Sequence, residues 1–166
     1  YTISESAKIG KAVGVSGAPN MAMNRTKIMG TSIAFHPGYL VEAGIPTQIT
    51  NKCDTMAEAS VVINHTYDAA TRELNVTVSG QVANTDVTEY LLTVLIKENG
   101  LLGKQADYNE YSFKSAGFKE FVHPRVARDI LCSDALGDTV AVENQAYSKT
   151  YTYTLPEEWV AENCGI

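Results

Sequence analysis

A strict alternation of apolar and polar residues most constrains what this chain can fold into. In the stretch "ELNVTVSGQV", Leu74, Val76, Val78 and Val82 point one way, and the polar residues between them point the other. Successive side chains of a β-strand lie on opposite faces, whereas a helix repeats every 3.6 residues. The pattern therefore predicts a strand with one buried face and one half-covered face.

Further segments of the same kind surround this strand. They are "ASVVINHTY", "EYLLTVLIKEN", "FVHPRVARDIL", "DTVAV" and "YSKTYTYTL". In the second of these, the residues expected to point inward are Tyr90, Leu92, Val94 and Ile96. The segment "DAATR" is typical of a hairpin turn, and Pro124 indicates a sheet edge or a bulge. Short antiparallel strands at this spacing predict a mainly β fold with an immunoglobulin-like β-sandwich over residues 57–166.

Residues 1–56 have a different pattern. The stretch "TISESAKIGKAVG" predicts a helix, and Gly14 suits the left-handed position after its last turn. "MAMNR" predicts a short strand, and Pro46 is placed to open a second helix. We therefore expect a helix–strand–helix piece over residues 1–56, with the domain boundary near Met56.

The segment "NGLLGKQADYNEYSFKSAGFK", residues 99–119, is predicted to be a long connection. Connections of that length are usually functional or mobile. Its side chains Tyr108, Tyr111 and Phe113 have two interpretations. They extend a binding surface, or they fold back onto the sandwich.

Tyr147, Tyr151 and Tyr153 fall on one face of the last predicted strand. One interpretation is a core face whose phenol hydroxyls are capped by hydrogen bonds. The other is an exposed aromatic strip that binds a peptide or a glycan. Under the second interpretation the candidate binding residues are Tyr108, Tyr111, Phe113, Tyr147, Tyr151 and Tyr153.

Composition excludes several function classes. The formal net charge is -6, and no block of like charges occurs, which argues against a nucleic-acid partner. No apolar run approaches the roughly 20 residues that span a bilayer, so no transmembrane segment is predicted. The three histidines are scattered, and neither a Gly-x-Ser-x-Gly motif nor a phosphate loop occurs. We therefore predict no catalytic residues, no metal site and no cofactor.

Cys53, Cys132 and Cys164 are widely spaced and form no Cys-x-x-Cys motif. Two states fit this spacing. One is a single disulfide with one free thiol, and the other is three reduced, buried cysteines that pack as small apolar side chains.

The turn "GVSGAPNMAM" resembles thioredoxins, where a helix leads through a glycine-rich turn into a proline at a strand start. The matching residues are Gly17, Ala18 and Pro19. The resemblance implies a partial thioredoxin-like α/β segment with a cis peptide before Pro19, since a cis X-Pro bond turns the chain sharply. The alternative is an ordinary trans loop turn.

Three stretches, "VLIKENGLLGKQ", "FVHPRVARDIL" and "YTYTLPEEWVAENC", resemble the twenty-eight-kilodalton outer-membrane protein family of Gram-negative envelopes. The matching residues are Glu98, Asn99, Gly100, Gln105, His123, Val126, Arg128, Tyr151, Tyr153, Pro156 and Trp159. Members resemble a thioredoxin-type domain with an inserted immunoglobulin-like sandwich. The resemblance implies a fragment that lacks the N-terminal thioredoxin half, and a place in the cell envelope, at the outer membrane or the cell surface. A signal or lipid anchor is then expected upstream.

Two functions remain open on these grounds. The first is a non-catalytic envelope module that binds a protein or a glycan. The second is part of a thioredoxin-like thiol-disulfide oxidoreductase whose redox cysteines lie in the absent N-terminal half. A Cys-x-x-Cys pair upstream of Tyr1 would favour the second, because thiol exchange needs an activated thiolate and a resolving partner.

Overall fold

The structure is a computed structural model of the 166-residue chain. The residues that it describes are 3–17, 20–23, 27, 32–36, 45–107 and 117–166. Within them the fold is mainly β, as the alternating pattern predicts. The helices are α1 (Ser6–Val13) and α2 (Ile45–Cys53). The strands are β1 (Val62–Asp68), β2 (Glu73–Gln81), β3 (Glu89–Leu92), β4 (Leu95–Glu98), β5 (Leu101–Asp107), β6 (Gly117–His123), β7 (Val126–Ile130), β8 (Asp138–Ala141), β9 (Ala146–Thr154) and β10 (Cys164–Gly165).

The strands form four small antiparallel sheets in the described part of the chain. Two of them have three strands, in the orders β1-β2-β9 and β10-β4-β7. The other two are the pairs β3-β8 and β5-β6. Strand β2 lies in the centre of its sheet, and its core residue Val76 registers between His65 of β1 and Tyr151 of β9.

The core forms where the inward faces of these sheets meet. As predicted, Leu74, Val76, Val78 and Val82 are buried. The opposite side is supplied by β4, β8 and the C-terminal segment. The buried residues of this cluster are Leu74, Val76, Val78, Val82, Val94, Ile96, Val140, Tyr147, Tyr151, Leu155 and Trp159.

The segment "EYLLTVLIKEN" is two strands and not one. Strand β3 pairs with β8, whereas β4 pairs with β7 and β10. Between them the Thr93 hydroxyl donates to the Leu136 carbonyl at 3.0 Å, and the Val94 amide donates to the Cys132 sulfur at 3.1 Å. The chain thus changes sheets at Thr93 and Val94, while Val94 and Ile96 keep the predicted inward direction.

The segment "FVHPRVARDIL" is likewise divided, because β6 ends before Pro124 and β7 begins after Arg125. Proline has no amide hydrogen for a sheet ladder. Arg125 has a φ of 54°, a left-handed conformation that interrupts extended backbone. Its amide donates to the Asn99 side-chain oxygen at 3.0 Å, which fixes the turn.

Much of the predicted connection over residues 99–119 is a β-hairpin. Strand β5 pairs with β6 along seven registered positions, from Leu101 opposite His123 to Asp107 opposite Gly117. The prediction of one long irregular connection is therefore wrong for these residues. Tyr108, Tyr111 and Phe113 lie outside the described residues.

The N-terminal helices lie where the sequence predicts them. Helix α1 ends at Gly14, whose φ of 80° is the expected left-handed cap. Met21, in the predicted short strand, forms an isolated antiparallel bridge with Phe35. Ala18 and Pro19 lie outside the described residues, and the backbone bends at Gly17. A thioredoxin-like origin of residues 1–56, an immunoglobulin-like topology and the boundary near Met56 stay predictions.

Among the described residues, no helix has the length and apolar character that crossing a membrane requires.

Truncating a core side chain should test the layer assignment. We expect Ile96→Ala to lower the free energy of unfolding by about 2–5 kcal/mol, since Ile96 is 1% exposed and its removal leaves a cavity. The control Leu91→Ala, on β3 with 61% exposure, should change it by less than about 0.5 kcal/mol. Urea denaturation measures both, and equal losses would mean that the faces are assigned wrongly.

Candidate functional site

A groove of about 480 Å³ opens between strand β1 and the C-terminal segment. On one side it is lined by Ile63, His65 and Tyr67. Leu74 and Ile96 lie among the remaining lining residues. The C-terminal segment supplies Leu155, Ala161, Glu162, Cys164, Gly165 and Ile166. Most of these side chains are apolar, and the Glu162 carboxylate is the one acidic group among them.

The groove exists because β1 is only partly covered by a second layer. Its inward residues Ile63, His65 and Tyr67 register opposite Val78, Val76 and Leu74 of β2, which are buried. All seven residues of β1 are nevertheless exposed. The opposite wall contains β10, which is only two residues long and does not cover them.

Arg72 fixes the C-terminal wall of the groove. It lies in the turn before β2 with a φ of 55°. Its guanidinium donates to the carbonyl oxygens of Leu155, Pro156 and Trp159 at 3.0, 2.8 and 2.8 Å. Backbone carbonyls away from water need hydrogen-bond donors, and this segment has little regular structure to supply them. The Arg72 side chain donates to three of these carbonyls.

A buried ion pair lies behind this wall. Glu98 is 1% exposed, and its Oε1 accepts a hydrogen bond from the Val160 amide at 3.0 Å. Its Oε2 lies 3.4 Å from Nη1 of Arg128 and accepts no hydrogen bond from the described residues. The Arg128 guanidinium also stands 4.7 Å above the Trp159 ring. A buried carboxylate of this kind depends on its cation, because burial disfavours an isolated charge.

Tyr153 connects this cluster to the sheet. Its ring stacks on Trp159 with centroids 6.0 Å apart, and its hydroxyl donates to Asp129 Oδ2 at 2.7 Å. Burial, followed by this hydrogen bond and the Asp129 charge, raises the pKa of the Tyr153 phenol above its ordinary value. The phenol therefore remains a neutral donor at physiological pH.

The other two tyrosines of β9 belong to the core. Tyr147 and Tyr151 are each 8% exposed. The Tyr147 hydroxyl donates to the Ser60 carbonyl at 2.8 Å, and Tyr151 accepts from the Cys132 thiol at 3.7 Å. This is the core face capped by phenol hydroxyls that the alternation allows. An exposed strip requires both rings to face solvent, and they do not.

A second polar cluster joins β8 to β9. Asp138 accepts hydrogen bonds from the Ser133 hydroxyl at 2.5 Å and the Ser133 amide at 2.9 Å, and it forms an ion pair with Lys149 at 3.1 Å. The Ser133 hydroxyl bond, together with the Lys149 contact, lowers the pKa of Asp138 to about 2. The carboxylate is thus ionised and holds the turn before β8.

All three cysteines are free, but Cys53 is exposed and Cys132 and Cys164 are only partly buried, so the expectation of three buried thiols is wrong. The Cys132 thiol donates to the Leu92 carbonyl at 3.1 Å. Burial, and then the charge of Glu98, raises the pKa of the Cys164 thiol. Among the described residues, no three His, Cys, Asp or Glu side chains are grouped as a metal ion would need.

The groove residues Ile63, His65 and Tyr67 do not appear among the sequence-predicted site residues. Nothing in "ASVVINHTY" distinguishes an uncovered strand from a covered one. Glu98 carries a detectable signal, because a carboxylate occupies an inward position of the alternating segment two residues after Ile96. Its partner Arg128 is 30 positions away, and the topology alone brings the two together.

Nearly the whole chain matches one protein family. The sequence profile of the Omp28 family, described as outer membrane protein Omp28, matches residues 6–166. The chain belongs to this family, and it is accordingly an outer-membrane protein of the cell envelope, as the resemblance implies. No curated protein and no solved structure matches the chain.

Removing the cation of the buried pair should be costly. We expect Arg128→Leu to lower the free energy of unfolding by about 3–5 kcal/mol, since Glu98 would keep a buried and unpaired charge. The double variant Arg128→Leu/Glu98→Gln should lose less than Arg128→Leu alone, because Gln retains an acceptor for the Val160 amide without the charge. Urea denaturation near pH 7 compares them. A loss under about 1 kcal/mol in Arg128→Leu would contradict the assignment.

The Asp138 carboxylate should give a pH-dependent contribution to stability. Its pKa of about 2 is below that of an unfolded aspartate, so the contribution is present above about pH 4 and is lost as the pH falls toward 2. We expect Asp138→Asn to cost about 2 kcal/mol near pH 6, with a gap from wild type that narrows below about pH 4. Urea melts over this range measure the gap. A gap independent of pH would show that geometry and not charge is responsible.

Proposed function

We propose that this chain is a non-catalytic binding module of the cell envelope, and that the groove between β1 and the C-terminal segment receives a protein or glycan ligand. Membership of the Omp28 family supports the place in the envelope. The observation that carries the binding function is the uncovered inward face of β1. Ile63 and Tyr67 lie on the core side of the sheet, yet they are 44% and 37% exposed.

An uncovered core face is costly to a folded protein. Burial of apolar surface contributes roughly 25 cal/mol per Å², and the neighbouring residues of β2 gain this while those of β1 do not. Contiguous exposed apolar surface often marks an interaction site. A ligand that covers Ile63 and Tyr67 would bury their exposed apolar surface, and this burial would contribute to the free energy of binding.

Two reactive groups, Asp138 and Cys164, are poorly suited to catalysis. Asp138 is ionised and held by Ser133 and Lys149, so it is a poor general base near neutral pH. The raised pKa of Cys164 disfavours the thiolate that disulfide exchange requires. The alternative, part of a thioredoxin-like oxidoreductase with redox cysteines elsewhere, therefore draws no support from the Cys164 thiol.

The groove should be tested with one variant on each face of β1. The probes are a glycan array and an array of synthetic peptides. We expect Ile63→Glu to weaken binding of any ligand found by at least about tenfold, because it places a charge inside the groove. Val62→Glu is the matched control, since Val62 is 51% exposed on the opposite face of the same strand.

Three results would contradict the proposal. They are the absence of binding on both arrays, an equal loss in both variants, and an unchanged affinity in Ile63→Glu. Tyr108, Tyr111 and Phe113 stay predicted ligand contacts. The double variant Tyr108→Ala/Tyr111→Ala, tested with the same probes, shows whether they extend the groove.

A further inference from the structure

We propose that the occupant of the groove is an extended polypeptide segment that adds to β1 as an antiparallel strand. It presents apolar side chains to the groove at alternate positions, and a lysine or arginine beside Asp68 at the end of β1. The inference rests on the proposed function and selects protein over glycan. It assigns the binding contacts to the backbone of β1 as well as to the groove walls.

The backbone of β1 is available for pairing. Along its whole length β1 pairs with β2, and in the described part of the chain no other strand pairs with it. Every residue from Val62 to Asp68 is exposed. An edge strand presents a row of N–H and C=O groups, which is the template that an added strand uses.

The groove determines the side chains of the added strand. Residues Ile63, His65 and Tyr67 face the groove, whereas Asn64 and Thr66 face away from it. An added strand continues the pleat, so its alternate residues would lie over the groove and the others would lie beside Asn64 and Thr66. Apolar residues at the first set of positions would cover Ile63 and Tyr67.

The charge at one end of β1 selects a cation. Asp68 and Glu73 register directly opposite each other, and like charges in that arrangement repel. Asp68 accepts a hydrogen bond from the Ala70 amide and Glu73 accepts one from Asn75, and no ion pair of the described residues involves either carboxylate. A cationic side chain next to Asp68 would offset this repulsion.

The orientation follows from the same position. Asp68 is the last residue of β1, so an antiparallel strand brings its first residue beside Asp68. Antiparallel pairing is also slightly more stable per residue than parallel pairing. The preferred segment therefore begins with its cation and continues with alternating apolar and polar residues.

A short synthetic peptide tests this arrangement. The probe is acetyl-KVTVTVT-amide with a fluorescent label at its C-terminal end, and anisotropy reports its binding to the purified chain. Two peptides serve as controls: EVTVTVT reverses the terminal charge, and KVTPTVT carries a proline that cannot donate to the ladder. We expect the lysine peptide to bind, and both controls to bind at least about tenfold more weakly.

Variants of the chain locate the contacts. Asp68→Asn/Glu73→Gln should remove the preference for lysine over glutamate, because both replacements keep a hydrogen-bond acceptor and lose the charge. Glu89→Gln, an exposed carboxylate on β3, is the control and should keep the preference. Hydrogen exchange should show new protection of β1 amides when the lysine peptide is bound and none with the proline peptide.

Each remaining outcome overturns the inference. Equal binding of the lysine and glutamate peptides contradicts the charge argument, and binding without protection of β1 contradicts strand addition. If no peptide binds but a glycan does, and Ile63→Glu weakens that glycan, the groove function stands and the strand inference fails. If nothing binds, both fail.

Concentration-dependent self-association that Ile63→Glu abolishes would assign the edge to a second copy of the chain.

Discussion

The contacts between Arg72 and the C-terminal segment determine the shape of the groove. Residues 155–163 contain only a short 3₁₀ turn, so few of their backbone groups are paired by regular structure. The Arg72 guanidinium accounts for three of the carbonyls, and the Glu98 carboxylate accounts for the Val160 amide. These two charged side chains therefore act together with the buried side chains Leu155 and Trp159 to hold the segment that forms one wall.

The two charges differ in how they are compensated. Arg72 is half-buried, and a guanidinium with several carbonyl partners is well solvated by them. Glu98 is fully buried, and one of its oxygens relies on Arg128 at 3.4 Å. Arg128 in turn lies over Trp159, which stacks on Tyr153. Displacing Arg128 would leave the Glu98 charge unpaired. The contacts of these four side chains join the C-terminal segment to β4, β7 and β9.

The sequence predicts the alternating layers of this fold well and the ends of its strands poorly. The inward faces of β2 and β4 follow from period-two patterning, which depends only on the pleat. The break at Thr93 does not follow from it, because apolar alternation continues across that residue, whereas Pro124 indicates the break between β6 and β7. At Thr93 the break depends on hydrogen bonds to Cys132 and Leu136, which lie about 40 positions away.

The candidate site could not be predicted from the sequence, again because alternation gives only part of the structural information. Alternation reports which face of a strand is apolar, and it cannot report whether a second layer covers that face. The segments that become β1 and β2 have similar patterns, but β2 lies between two strands and β1 lies at an edge. Glu98 and Arg128 are found through the family resemblance, although their contact depends on the pairing of β4 with β7.

A fold that leaves one strand uncovered must also avoid unwanted pairing at that strand. Proteins protect such edges with charges, prolines or bulges. Strand β1 has no proline and no lysine, and its one carboxylate, Asp68, lies at its end. Its protection is therefore concentrated at the Asp68–Glu73 end, where the two carboxylates repel an acidic strand and attract a cationic one. The same pair of carboxylates that makes the bare edge less stable would thus supply its selectivity.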